Sequence, residues 1–269
     1  MSSEFAERLD ILDPSYRDAW AVGPLAAKLS RHAARNIRTK SLTMRNSAPL
    51  VTFTFDDVPA SACVAGAPIL EALGGRATFY VSGQGCGSSS PCGPLATPEQ
   101  IRELSGRGHE IGCHTYSHCA VSRMGSPALH LDIERSTRFL RDIAGANNVR
   151  NFAYPYGDFS WRSKRLIQEK FESCRTVMPG LNANVLDLGI LKSVALDDAS
   201  IDRATIDRLI RETARRCGWL IFSSHQVEKS PGQYGLSPTL LEYAVRAARE
   251  NGCELVTTAV ALAFARGEH

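Results

Sequence analysis

Beyond residue 50 the chain alternates short runs of β-branched and aromatic residues with longer stretches whose apolar positions recur every three or four residues. The runs at 51–55, 77–81, 110–114, 151–154, 174–177, 191–196, 220–224 and 254–257 predict strands. Between them lie helices with readable starts. Thr97, Pro98 and Gln100 spell a capping box with proline in the first turn. Ser126 and Pro127 open a helix whose apolar stripe is Leu129, Ile133, Leu140 and Ile143. Ile206, Leu209, Ile210 and Thr213 mark a third helix, and 240–248 a fourth. Strand and helix in alternation predict a parallel sheet covered by helices, because parallel neighbours need a long crossover connection. Seven or eight such units suit a closed or nearly closed (β/α) barrel of mostly parallel strands better than an open sheet. No internal repeat or linker splits 50–269, and the Gly/Ser/Pro stretch at 83–94 reads as a loop.

Residues 1–49 read as a separate N-terminal helical extension. Leu25, Leu29, Ala33 and Ile37 stand at helical spacing, and 28–45 holds six Lys/Arg residues and no acid. Such a helix could touch an anionic membrane surface or supply an oligomer contact. The favoured expectation is a helix packed on the core with its basic face in water.

Composition adds limits. With 43% hydrophobic and 22% charged residues, the 269-residue chain reads as a globular protein able to bury a full core. A net charge of +3 is too small to argue for nucleic acid. No apolar run approaches the roughly 20 residues that span a bilayer. The first twenty residues lack the pattern of a signal peptide, so a cytoplasmic location is expected. The eight cysteines (63, 86, 92, 113, 119, 174, 217 and 253) form no CxxC pair and read as mostly buried thiols. Cys86 and Cys92 flank a short loop and could bridge only under oxidising conditions.

In a (β/α) barrel the chemistry collects at the C-terminal ends of the strands. The first strand runs into Asp56 and Asp57, adjacent carboxylates that point apart, so one can bind a metal while the other serves as a base. The third ends in His114-Thr115-Tyr116-Ser117-His118, whose two histidines can converge on one ion. With Asp57 they complete a set of two histidines and one carboxylate, leaving positions open for water and substrate. The fourth leads into Tyr154-Pro155-Tyr156-Gly157, a stiff turn that can present backbone N–H groups to an oxyanion. The seventh ends at His225, where a proton-transfer role is natural, and the sixth ends at Asp197-Asp198, either of which could orient that imidazole.

TFDD at 54–57, HTYSH at 114–118 within GHEIGCHTYSH at 108–118, YPYG at 154–157 and SSH at 223–225 together resemble the NodB-homology polysaccharide deacetylases, carbohydrate esterase family four. The resemblance covers roughly 50–258, in a divergent form. It implies a distorted (β/α) barrel and a metal-dependent N-deacetylase acting on an N-acetylated carbohydrate. It further implies one divalent metal, Zn²⁺ or else Co²⁺, on Asp57, His114 and His118. Asp56 would be the base, Tyr156 the oxyanion donor through its backbone, and His225 the acid. Two positions depart from the family. Ala153 stands where the family carries an arginine that holds the base aspartate, and Arg150 nearby is no assured replacement. Ala199 follows Asp197-Asp198 where a tryptophan would line the sugar groove, leaving Trp161 or Tyr234 to supply an aromatic wall.

Rival readings are a carbohydrate-binding protein that keeps the metal without turnover, favoured by the lost arginine, and an amidohydrolase acting on a small cyclic or linear amide. The complete Asp57/His114/His118 set disfavours the second. The HxD triplet at 130–132 lies inside a predicted helix, which argues against an oxygenase site.

Overall fold

The structure, a computed structural model, describes residues 23–90, 93–145 and 149–268. Its frame is eight strands: β1 (Leu50–Asp56), β2 (Thr78–Val81), β3 (Glu110–Cys113), β4 (Asn151–Ala153), β5 (Ser173–Arg175), β6 (Val194–Ala195), β7 (Trp219–Ser224) and β8 (Glu254–Leu255). Each overlaps one predicted run. Seven of them form a continuous wall in the order β6-β7-β1-β2-β3-β4-β5, every pair parallel. β8 pairs with the first two residues of β1, on the edge that β2 takes over from Thr54. It therefore props the foot of the wall instead of adding an eighth stave. Between β5 and the approach to β6 the sheet is joined by a bridge of Arg175 with Leu191, so the barrel is distorted and has a seam.

The helices are α1 (Pro24–Asn36), α2 (Ala67–Ala72), α3 (Pro98–Gly106), α4 (Ser126–Ala144), α5 (Trp161–Lys170), α6 (Arg203–Arg216), α7 (Pro238–Glu250) and α8 (Thr258–Arg266). The capping box forms at Thr97 and Gln100. Leu129, Ile133, Leu140 and Ile143 form the buried stripe of α4.

Alternation along a strand sorts side chains onto two faces. Phe53 and Phe55 of β1 stack on Phe222 of β7 and Phe79 of β2, with ring centroids 5.5 and 5.1 Å apart, in the apolar layer under the helices. The opposite face of β1 carries Thr52, Thr54 and Asp56, and polar residues continue it across β2 to β5. Thr78 and Asn151 both donate to the carboxylate of Glu110, and Ser173 donates to Asn151 Oδ1 at 2.7 Å, a belt across β2 to β5. Gly112 leaves room in this interior for Tyr80, its register partner, whose ring would lie 2.5 Å from any Cβ at position 112.

The stretch before β1 is stitched to the barrel. The ammonium of Lys164 on α5 donates to the carbonyls of Ala34 (2.9 Å) and Ile37 (2.8 Å), at the end of α1. Its charge is matched by Asp187, 2.7 Å away, and both side chains are buried. Residues Ser41–Thr43 then pair antiparallel with Val185–Asp187. The expected apolar stripe of α1 does not face the core: Ala34 is buried, while Leu25 and Leu29 are 71% and 61% exposed. The polar Lys164–Asp187 anchor sets the rotation of the helix, and the leucines are turned outward. No helix among the described residues is long and apolar enough to cross a membrane. Cys92 lies outside the described residues, and the Cys86 thiol donates to the Ala96 carbonyl.

Removing one partner of a buried ion pair leaves an uncompensated charge, so Asp187→Ala should cost about 3–5 kcal/mol. Urea denaturation should show this as a lower midpoint, most of it recovered by adding Lys164→Met. An unchanged midpoint would show that α1 docks by other means.

Candidate active site

The two carboxylates after β1 diverge as adjacent strand-end residues must. Asp56, buried inside the barrel, is ion-paired to Arg175 Nη2 of β5. Asp57 has φ 58°, which turns the chain and carries its carboxylate to the rim. There Oδ1 lies 2.9 Å from His118 Nε2 and 3.8 Å from His114 Nε2. One donor atom from each of Asp57, His114 and His118 lies within 4.8 Å of the others.

Both imidazoles are oriented from behind. His114 Nδ1 is 2.8 Å from the Ala153 carbonyl. A carbonyl can only accept, so Nδ1 carries the proton and Nε2 turns its lone pair toward Asp57. His118 Nδ1 is 3.0 Å from the Tyr156 hydroxyl. Burial pushes the His114 imidazole down to about 4, so it is neutral at neutral pH. Burial by itself would raise the Asp57 carboxyl, but the hydrogen bond and charge of His118, with His114 and His225 behind it, hold it well below the usual range. The same contest at Asp56 is settled in the same direction by Arg175, His114 and His225. A neutral imidazole and an ionised carboxylate, converging with a second imidazole, fit a divalent cation. Buried side-chain atoms without a partner also lie here: Thr115 Oγ1 beside His114, and Arg175 Nε and Nη1 beside Asp56. A site built for water and ligand leaves such groups unfilled.

The loops that carry these residues are strained. Asp57, Val58, Thr115, His118, Tyr156 and Tyr234 all adopt the left-handed conformation, with φ between 51° and 68°. Each such residue costs about 1–3 kcal/mol, and the strain persists only where the surroundings fix it. Asp132 of α4 does so for the histidine loop, accepting from the backbone N–H groups of Tyr116 (2.7 Å) and Ser117 (3.2 Å). At the 154–157 turn, Gly157 has φ 62° and a Cβ there would collide with the Val177 side chain.

His225 follows β7 and faces the same rim, close enough for its charge to act on both Asp56 and Asp57. The aspartates expected to orient it do not. Asp197 Oδ1 accepts from the backbone of Ala199 (3.1 Å) and Ser200 (2.8 Å), and Asp198 Oδ1 accepts from Ser237 N (2.8 Å). Asp197 satisfies the amides of its own turn and Asp198 that of the residue capping α7, and neither bonds to His225 among the described residues. Of the two candidate aromatic walls, Trp161 opens α5, where its backbone amide donates to Ser30 of α1. Tyr234, 53% exposed, lies with its ring 5.9 Å from His225.

Two residues were missed in the sequence. Arg175 is the last residue of β5, and its signal is register, since β5 pairs with β4 so that Arg175 stands beside Ala153. Asp132 reads as an ordinary helix acid, and only the packing of α4 under the histidine loop gives it a task.

The polysaccharide deacetylase family profile matches residues 43–171. A chitooligosaccharide deacetylase from a Bradyrhizobium species is 30% identical over 110 residues, 40% of this chain and 46% of that protein. The matches cover less than half the length of each of the curated relatives. Among solved structures, a family 4 carbohydrate esterase from Bacillus anthracis superposes with a TM-score of 0.59 at 14% identity, covering 91% of this chain and 95% of that one. Another neighbour, described as a family 4 pseudoenzyme from the same organism, reaches 0.51 at 14% identity over 80% of this chain and 66% of that one. The fold extends the match beyond the profile, and the motif residues stand together at one rim: the chain is similar to the polysaccharide deacetylases in sequence over residues 43–171 and in fold over most of its length.

Proposed function

We propose that this protein removes N-acetyl groups from an amino-sugar oligosaccharide or polysaccharide precursor with the help of one divalent metal. The observation that carries the reading is the pairing of roles at 56 and 57: a buried aspartate engaged by Arg175, one residue from a carboxylate that faces two histidines. Asp57, His114 and His118 would hold the ion, zinc by preference and cobalt as a replacement. When bound, it supplies a Lewis acid for the acetyl carbonyl and makes water in the site more acidic.

The rest falls to the chain's own groups. Asp56, with Oδ1 engaged by Arg175, takes the proton of the attacking water. The Tyr156 backbone N–H faces the oxyanion that develops as the new C–O bond forms, a contact worth about 3 kcal/mol of barrier. His225 delivers a proton to the amide nitrogen, which leaves poorly without one, and the C–N bond breaks to give acetate and a free amino sugar. The half-exposed rings of Tyr156 and Tyr234 flank the site and offer flat apolar faces to a sugar ring. A binder without turnover drew its support from the missing arginine at 153, and Arg175 removes that support.

Acetate release by zinc-loaded protein across N-acetylated sugars is the direct test, with loss on chelation and recovery with Zn²⁺ or Co²⁺ as the expected result. Tight binding of chitooligosaccharides with no acetate from any sugar would favour the binder. His114→Ala should lose both metal content and activity. Asp56→Asn should keep the metal while kcat falls by about 10²–10⁴. Tyr234→Ala should raise KM for a chitotetraose by roughly 3–10-fold, as loss of one aromatic contact predicts, and leave that for N-acetylglucosamine unchanged.

A further inference from the structure

We infer that Arg175 is the positioning residue of Asp56, performing from β5 the task that the deacetylase resemblance places at position 153 on β4. The inference deepens the deacetylase reading and rests on it for its kinetic arm alone.

Three observations carry it. The first is register: Ala153 and Arg175 are direct partners across the parallel pair β4–β5, as are Asn151 and Ser173 two residues earlier. Registered residues of neighbouring parallel strands point to the same face, with their strands about 4.8 Å apart. That offset is small beside an extended arginine side chain, so a guanidinium can reach Asp56 from either strand. The second is burial. Arg175 is fully buried and Asp56 nearly so, and their ion pair links the barrel's two sides, from β5 to β1. A buried arginine is held there only by a partner, since unpaired it would carry the whole cost of leaving water. Among the described residues its Nη2 donates to Asp56, while Nε and Nη1 have no partner. Tyr80 lies under the guanidinium, 5.1 Å from ring centroid to Cζ, and adds a cation–π contact. The third is placement. The same residue makes the bridge to Leu191 that joins β5 to the approach to β6. Seam and base are thereby tied together, so a shift of β5 would move the carboxylate that accepts the proton. Arg150, the nearer arginine in sequence, is excluded because it is half-exposed and paired with Glu172.

The test moves the arginine. Arg175→Ala should lower kcat on the best acetylated sugar by about 100-fold, the order expected of a misplaced catalytic group, with KM within about threefold and bound zinc unchanged. Ala153→Arg in the Arg175→Ala background should restore kcat to within about tenfold of the starting protein and recover the urea midpoint. Arg175→Lys should retain the fold and fall between the two in kcat. Should Arg175→Ala fail to fold, Arg175→Ala with Asp56→Asn removes both charges and gives a folded reference against which the relocated arginine is compared. Recovery of the midpoint without recovery of kcat would make Arg175 a structural residue and overturn the inference, as would Arg175→Ala with kcat within threefold of the parent. If the parent releases no acetate from any sugar, the deacetylase reading fails. The midpoints then still decide whether position 153 can replace 175 as the partner of Asp56.

Discussion

An ionised carboxylate inside a barrel persists only if the interior answers its charge, and Arg175 is that answer for Asp56. The surroundings are arranged around the pair. Gly112 makes room for Tyr80, Tyr80 lies under the guanidinium, and the bridge of Arg175 to Leu191 joins the sheet at its weakest point. An interior this polar is affordable because its groups are mutually satisfied. Glu110, pushed up by burial, takes hydrogen bonds from Asn151, Ala259 and Thr78. The larger apolar cluster lies on the outer face, where Phe53, Phe55, Phe79 and Phe222 meet the helices, and a smaller one holds Leu50, Trp219 and Ile221.

The rim obeys a different constraint. Donor atoms able to share one ion must converge to within a few ångströms, and extended strands alone cannot bring consecutive side chains to one point. The chain therefore bends sharply at Asp57, Thr115 and His118, each in the left-handed region that few residues other than glycine adopt. Asp132 and the Ala153 carbonyl fix what the bends create, one by holding the loop and the other by setting the His114 tautomer. Strain, orphaned polar atoms and displaced pKa values coincide at this rim, which is what a site prepared for ligand requires.

The segment ahead of β1 shows the same rule in a structural setting. Its placement depends less on apolar burial than on one buried lysine, Lys164, which takes the last carbonyls of α1 and is neutralised by Asp187. Hydrophobic spacing alone predicts the wrong face of α1 as the buried one. A short helix carrying small residues can dock through its carbonyl end, and then the leucines are free to face outward.

Much of this was written in the order of residues. Period-two and period-3.6 patterns placed all eight strands, the capping box at Thr97 and the stripe of α4, because local geometry reads directly from side-chain alternation. Asp56, Asp57, His114, His118 and His225 were legible because strand ends in such a barrel share one rim, so distance along the chain ceases to matter. Other features could not be read there. The seam between β5 and β6, the backbone duties of Asp197 and Asp198, the clamp by Asp132 and the outward face of α1 each depend on which surfaces meet. Arg175 is the clearest case. A residue at the end of a short strand becomes the partner of an aspartate 119 positions earlier only because the barrel curves β5 around to face β1, and no local propensity encodes that approach.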